Sequence, residues 1–357
     1  MTNPKHLINK KTAEHKQFGY ISFAKILCCY SVVILHTNNK FWHFNYNNYK
    51  TYWLSANLIE CIFYFAVPMF ALCIGATLLD FNERYGIIEY YKKRILKIVI
   101  PMLSWTFLLY FYKIYILKDM NKIKFTFRNL WNLYYGHKVY SIINSLHYFL
   151  LLYFITPLLA FVDKSKKIKI YSYCFVALLL GQALFPYLIN VFDLKLIWIY
   201  NIDLGYMIYL FAGYIIQNYK FSIIAKIIIY LLGLFGFLIH TIGTKILTLR
   251  YGKVIQLHKG YVNLPCVLYS CSLFLLIKEI SNLIFKLINE KFISKIGTLT
   301  FGPFFMHTPI MDYCIKNFKF DLYGLNYRLF GGIMICTISL IITFILKNIP
   351  LLNYLVP

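Results

Sequence analysis

Apolar runs long enough to cross a membrane recur along the whole of this sequence. A transmembrane helix needs about 20 such residues to span a hydrocarbon layer of about 30 Å. The runs are continuous rather than alternating between polar and apolar, which favours helices over the strands of a barrel. The sequence therefore predicts an all-α integral membrane protein, a bundle of about ten transmembrane helices, at residues 18–35, 57–79, 95–117, 145–162, 170–190, 196–217, 222–242, 261–280, 296–315 and 329–347.

The composition also excludes an ordinary water-soluble protein. Of the 357 residues, 60% are hydrophobic and only 14% are charged, and the mean hydropathy is +0.62. No polar stretch is long enough to fold as a separate soluble domain, since the longest, at about 118–144, is rich in Tyr and Trp and suits the membrane interface. We therefore expect residues 1–357 to form a single membrane domain, in which residues 1–17 are a basic cytoplasmic tail.

The charge balance is strongly basic, with 37 Lys and Arg against 13 Asp and Glu and a net charge of +24. The basic residues lie between or at the ends of the apolar runs, where they can meet lipid head groups, and this pattern favours membrane lipid over nucleic acid as the partner. The basic tail before the first run predicts an uncleaved signal anchor whose N-terminus is cytoplasmic. That orientation is also indicated by a basic cluster after the second run, Arg84, Lys92, Lys93 and Arg94.

The first helix carries two ionisable residues, Lys25 and His36, eleven residues apart. At 3.6 residues per turn they share one helix face and are separated by about 16 Å along the axis. Ionisable groups within a span usually face the bundle interior, and His is suited to take a proton from a hydroxyl near neutral pH. The alternative is that Lys25 extends to the interface and His36 caps the helix there.

The start of the third span carries Lys93, Arg94 and Lys97, which can present a concentrated positive surface to a phosphate-bearing ligand. A topology signal or lipid anchor is the alternative for such a cluster. Near the C-terminus, His307 lies in a span that we expect Pro303 and Pro309 to break, which suggests an interior site or else a kinked packing helix.

Several other polar residues fall within predicted spans, but the sequence assigns them no partner: Glu60, His147, Asp203 and Asp312. We interpret His240 and His258 as solvent or interface residues. The nine cysteines show neither a disulfide framework nor a metal-binding spacing, so no metal is expected.

Six short elements, each weak alone, occur in the order found in the acyltransferase-3 family of integral-membrane acyltransferases. They resemble most its branch of surface-polysaccharide O-acetyltransferases. In that family the first helix carries Arg eleven residues before His, and Lys25 stands at the Arg position. The matching elements are Ile21 to Lys25 with Val32 to His36, Val67 to Gly75, Arg94 to Lys97 ahead of Pro101, Leu146 to Phe149 with Tyr153 and Pro157, Tyr209 to Tyr214, and Thr300 to His307.

The resemblance implies an O-acyltransferase that moves an acyl group, expected to be acetyl, from acetyl-CoA or another acyl-CoA to a sugar hydroxyl. The acceptor would be a polysaccharide or a lipid-linked glycan, and the location the bacterial cytoplasmic (inner) membrane, crossed many times with the N-terminus in the cytoplasm. The residues that the resemblance implicates are Lys25, His36 and, with less weight, His307 for catalysis, and Lys93, Arg94 and Lys97 for CoA binding.

Two other functions fit the same sequence. A transporter or flippase for a lipid-linked glycan also needs about ten helices with interior charges and interrupted segments. It would move its substrate unaltered and consume no acyl-CoA. A non-catalytic membrane subunit of a glycan-assembly complex is the third interpretation, and there a change at His36 or Arg94 would alter association rather than product.

Overall fold

The computed structural model describes residues 4–116, 126, 128, 152–195 and 204–357, and there the chain folds into helices and connecting turns. The predicted all-α class is confirmed. The α-helices are α1 Pro4–Thr37, α2 Tyr49–Phe63, α3 Ala66–Leu78, α4 Ile87–Arg94, α5 Ile100–Phe111, α6 at 152–160, α7 Lys164–Leu178, α8 Phe185–Val191, α9 Met207–Asn218, α10 Ile223–Leu238, α11 Thr244–Tyr251, α12 Leu264–Leu287, α13 Glu290–Gly297, α14 Phe301–Asn317 and α15 Gly332–Lys347.

Seven helical stretches of the described residues are long and apolar enough to cross a membrane. Each overlaps one predicted span: Gly19–Thr37, Tyr49–Glu83, Ile87–Phe111, Lys164–Val191, Ile223–Tyr251, Leu264–Leu287 and Tyr327–Lys347. The predicted spans at 145–162 and 196–217 lie partly outside the described residues. In their described parts they contain α6 and α9. The total of ten therefore stays a prediction.

The first helix lies at the centre of the bundle and packs against α3, α12, α13, α14 and α15. Because so many helices surround it, one face of α1 can line an interior site while the others are buried against apolar neighbours. Two ends of the bundle can be distinguished along α1. We call the end near Ser22, where Gly297 contacts α1, the proximal end, and the end near Thr37, which donates a hydrogen bond to the Arg328 carbonyl, the distal end.

Helices α3 and α9 approach each other very closely at two glycines. A Cβ atom on Gly75 would lie 1.9 Å from the backbone oxygen of Leu210, and one on Gly213 would lie 2.1 Å from that of Leu72. Small residues let transmembrane helices approach until their backbones touch. This contact holds α3, which carries Phe70 and Cys73, firmly in the bundle.

The helix that carries His307 is not broken at its two prolines, contrary to the prediction from sequence. Helix α14 is continuous from Phe301 to Asn317 and passes through Pro303 and Pro309, while the interruption falls earlier, at residues 298–300. Pro303 is tolerated because it lies in the first helical turn, where a backbone N–H has no partner within the helix. The predicted break at the prolines was wrong, but an interrupted segment does occur just before them.

Candidate active site

A cavity of about 520 Å³ opens at the proximal end of the bundle, between α1, α3, the turn after α3, α4, α14 and the end of α15. This volume falls within the range of about 300–1,000 Å³ that is typical of small-molecule sites. Its wall includes Lys25, Phe70 and Tyr153. Lys25 is therefore an interior residue of this site, as expected for a cation on the inner face of the first helix.

The cavity wall is strongly positive. None of its lining residues is Asp or Glu. Five of them are cationic: Lys25, Arg84, Arg94, Lys97 and Lys347. Like charges gathered in a concave, partly apolar site attract and concentrate a polyanion, and Arg and Lys are the usual partners of phosphate. The site is therefore suited to a ligand that carries several phosphates.

Two of these cations are positioned by a wide helical turn at the start of the third span. A π-helical segment, Ile95–Val99, follows α4 directly and contains Lys97. Pro101 has no N–H to bond the carbonyl of Lys97, four residues earlier, and such a missing bond favours a local change of helical pitch. Single π turns are frequent at functional sites, and this one brings both Arg94 and Lys97 to the cavity wall.

The guanidinium of Arg94 is held between aromatic rings. Its carbon atom lies 5.2 Å from the ring centre of Tyr90 and 5.4 Å from that of Tyr153. The Nε of Arg94 is buried and has no hydrogen-bond partner among the described residues. A buried donor without a partner is unfavourable, so this group is well placed to bond an incoming anion.

Lys93 does not share this position, although the sequence grouped it with Arg94 and Lys97. Its Nζ lies 2.8 Å from the carboxylate of Glu89 and 3.9 Å from the ring centre of Tyr85. Adjacent helical residues point about 100° apart, which explains why Lys93 and Arg94 face different neighbours. Sequence reasoning missed two cavity cations as ligand candidates, Arg84 and Lys347, because only the tertiary fold brings them to the same wall.

A much smaller void lies next to this cavity. It has a volume of about 10 Å³, and its wall shares Phe70, Thr300 and Phe304 with the large cavity. His307 lies at its other side. The three shared residues therefore separate the cationic cavity from a buried imidazole.

The two histidines proposed from sequence meet beyond this void. The ring centres of His36 and His307 lie 4.8 Å apart with their planes tilted by 47°. His307 is fully buried, whereas His36 retains some exposure. The two imidazoles are therefore direct neighbours in the interior of the bundle.

Hydrogen bonds define the orientation of His307. Its Nδ1 lies 2.6 Å from the backbone oxygen of Pro303, and because a carbonyl can only accept, Nδ1 carries the proton. The other nitrogen, Nε2, is then unprotonated, and its lone pair accepts a hydrogen bond from the hydroxyl of Thr308 at 3.2 Å. The ring of His36 makes no hydrogen bond to the described residues, so only one of the two imidazoles is fixed in a single tautomer.

A second polar cluster occupies the distal end. Glu60 has no partner that can be assigned from sequence, but in the structure its carboxylate lies 3.3 Å from the Nζ of Lys259, and both side chains are almost completely buried. Asn38 donates to Glu60 and accepts from Arg328, which links the end of α1 to α2 and to the start of the last span. Buried charges require such partners, and the network fixes the distal end of the helix that bears His36.

The remaining sequence candidates lie elsewhere. His240 is fully buried beside the ring of Tyr64, which corrects the expectation that it faces solvent or the interface. His258 is half-buried, with Nδ1 2.7 Å from the Tyr187 hydroxyl, and burial lowers its pKa. Asp312 lies on α14, five residues after His307, while His147 and Asp203 fall outside the described residues.

The comparison with known proteins identifies the family of this chain. A family model described as an acyltransferase domain, acyltransferase-3, matches residues 18–347 of the 357. The chain belongs to the acyltransferase-3 family. No significant match was found among curated proteins, and none among solved structures. Membership of the acyltransferase-3 family makes this multi-pass membrane protein an acyltransferase, and the matched region contains Lys25, His36, Arg94, Lys97, His307 and Lys347.

Proposed function

We propose that this acyltransferase-3 protein transfers an acetyl group from acetyl-CoA to a hydroxyl of a cell-surface polysaccharide sugar or its lipid-linked precursor. It would do so in the bacterial cytoplasmic membrane, with its N-terminus and the proximal cavity facing the cytoplasm. The observation that carries the proposal is a cavity lined by five cations that shares three wall residues with a small void beside His307, the ring neighbour of His36.

The donor is proposed from the charge and length of this passage. CoA carries phosphates at one end and a thioester at the other, joined by a long flexible arm. The cations at the cavity wall would bind the phosphates, chiefly Arg94 and Lys97 together with Arg84 and Lys347. Lys25 and His36 lie about 16 Å apart along α1, which suits an arm that is charged at one end and reactive at the other.

The proposed chemistry needs one base. An imidazole of the pair takes the proton of the sugar hydroxyl as its oxygen attacks the thioester carbonyl. The bond between carbonyl carbon and sulfur then breaks, and CoA leaves as a thiol after receiving that proton. We assign the base to His36, since it is the less buried of the two rings. We assign His307 a supporting role as the adjacent imidazole, whose Nε2 is a hydrogen-bond acceptor.

Turnover of labelled acetyl-CoA by membranes that contain the protein tests this proposal. His36→Ala should lower acyl transfer by about 100-fold or more, which is the usual effect of losing a general base. His43→Ala is a matched control, because His43 is an exposed residue beyond the distal end of α1. Transfer by a well-folded His36→Ala protein at the rate of the control would remove His36 from the mechanism.

A product measurement completes the test. Surface glycan from cells with and without the gene should differ by one acetyl group per modified sugar, as read by mass. Identical glycans, together with no consumption of acetyl-CoA by the membranes, would contradict the proposed reaction and favour movement of an unaltered substrate.

A further inference from the structure

The small void beside His307 has the size and lining of a pocket for a short hydrocarbon group. Its volume of about 10 Å³ is roughly the space that one water molecule needs. Most of its lining is hydrocarbon, and the complete lining is Cys29, Val32, Val33, Phe70, Thr300, Pro303, Phe304 and His307. A buried water needs about two to four polar partners, so this void favours an apolar occupant such as a methyl group.

The position of the void follows from the spacing of residues on α1. Lys25, Cys29, Val32 and His36 are separated by four, three and four residues and therefore form one stripe along the helix. Lys25 lines the large cavity, Cys29 and Val32 line the void, and His36 contacts His307 beyond it. A thioester that extends from the cavity towards the imidazoles must bring its acyl group to this point.

We propose that this void receives the acyl group and restricts it to the size of acetyl. The inference rests on the proposed function and adds the residues that determine acyl length. Val32 and Val33 belong to the α1 wall, beside Cys29, and are almost completely buried. Phe70 and Phe304, with Thr300, lie between the void and the cavity. Each additional methylene would overlap one of these walls, because packed helices leave little room for displacement.

Rates with acetyl-, propionyl- and butyryl-CoA test the inference, measured as release of the CoA thiol by membranes that contain the protein. One methylene typically changes discrimination by about 10–200-fold, so wild type should prefer acetyl to butyryl by at least about 100-fold. Val33→Ala enlarges the void and should narrow the preference for acetyl over propionyl by about 10-fold. Val32→Ala, on the same wall, should act in the same direction.

A matched control is Val267→Ala, which removes the same two methyl groups from a valine that is as buried as Val33, since each is 1% exposed, but belongs to α12. It should leave the chain-length preference unchanged. Equal use of acetyl- and butyryl-CoA by wild type would overturn the inference without affecting the proposed acyl transfer. The inference would also be overturned if Val33→Ala and Val32→Ala, both folded, kept the wild-type preference for acetyl over propionyl. No use of any acyl-CoA by wild type would instead contradict the proposed function itself.

Discussion

At the scale of single residues, the two histidines differ in their hydrogen bonds, and this difference supports the separate roles that we propose for them. His307 is fixed by the Pro303 carbonyl and the Thr308 hydroxyl, whereas the ring of His36 has no hydrogen bond to the described residues. A fixed tautomer offers one lone pair in one direction, and an unrestrained ring can follow a substrate. The sequence indicated both residues through the family motifs, but the order of their roles depends on contacts that no motif contains.

His307→Asn tests whether the lone pair of Nε2 is used. The asparagine amide can still donate to the Pro303 carbonyl from the position of Nδ1, so the fold should be retained, while Nε2 is lost. We expect kcat to fall by about 100-fold with the KM for acetyl-CoA unchanged, since the cationic cavity is not altered. Initial rates over a range of acetyl-CoA concentrations measure both constants. Wild-type kcat in this variant would show that His307 serves only to hold the start of α14.

The adjacent residues Lys93 and Arg94 show what the sequence could not decide at this scale. Both are basic and both belong to the same cluster, so the sequence grouped them. Adjacent residues of a helix are rotated by about 100° about its axis, so Arg94 faces the cavity while Lys93 pairs with Glu89. The phase of a short helix next to a π turn depends on tertiary packing, which hydrophobic pattern alone does not define.

At the scale of the helices, the sequence predicted most of what the structure shows. The seven long apolar helices overlap seven predicted spans because a hydrocarbon layer requires a minimum apolar length, and that requirement can be read directly from sequence. The interruption at residues 298–300 and the π segment Ile95–Val99 could not be located in this way. A proline in the sequence shows that one backbone N–H donor is missing, but it does not determine whether the surrounding helix continues.

The contact of α3 with α9 gives a prediction about stability. Gly75→Ala should destabilise the protein by about 1–3 kcal/mol or more, because the new Cβ would overlap the Leu210 backbone, which cannot rotate away as a side chain can. Thermal unfolding in detergent, followed by loss of monodisperse protein, measures the change.

The control for this prediction is Gly86→Ala. A Cβ atom on Gly86 would have no atom within 4 Å apart from those of its neighbours in the chain, and the backbone φ there is −73°, so alanine is tolerated. Equal melting temperatures for Gly75→Ala and Gly86→Ala would show that the two backbones can separate without loss of stability.

At the scale of the whole molecule, charge is distributed unevenly along the bundle. The proximal cavity gathers five cations from four separate parts of the chain, while the distal cluster pairs Lys259 with Glu60. Sequence identified three of the five cavity cations as site candidates, since these fall within family motifs. Arg84 and Lys347 lie outside those motifs, and only the fold reveals that they face the same space.

This charge distribution predicts how the donor is recognised. Replacing both Arg94 and Lys97 with Gln should raise the KM for acetyl-CoA by about 10-fold or more, because charge-assisted hydrogen bonds to phosphate are lost. Acetyl-pantetheine, which has no phosphate, should be used equally by wild type and variant. Kinetics with the two donors separate loss of phosphate binding from loss of chemistry.

A charge-matched control for this prediction is the double substitution of Lys286 and Lys291 with Gln. Both are exposed residues near the proximal end of the bundle, and neither belongs to the cavity wall. An equal rise in KM in the control would assign the effect to the net charge of the protein surface. An unchanged KM in the Arg94 and Lys97 variant would mean that the phosphates bind elsewhere.

The narrow void has a consequence for the membrane in which the protein lies. A water-filled path from one face to the other would let protons and ions leak and dissipate the electrical gradient across the bilayer. The void has about the volume of one water molecule and a mostly hydrocarbon wall, and narrow hydrophobic spaces of this kind close ion pores by dewetting. Under the proposed function, a two-carbon unit carried on sulfur enters this void from the cationic cavity, and the hydrocarbon wall around it still opposes the passage of water and ions.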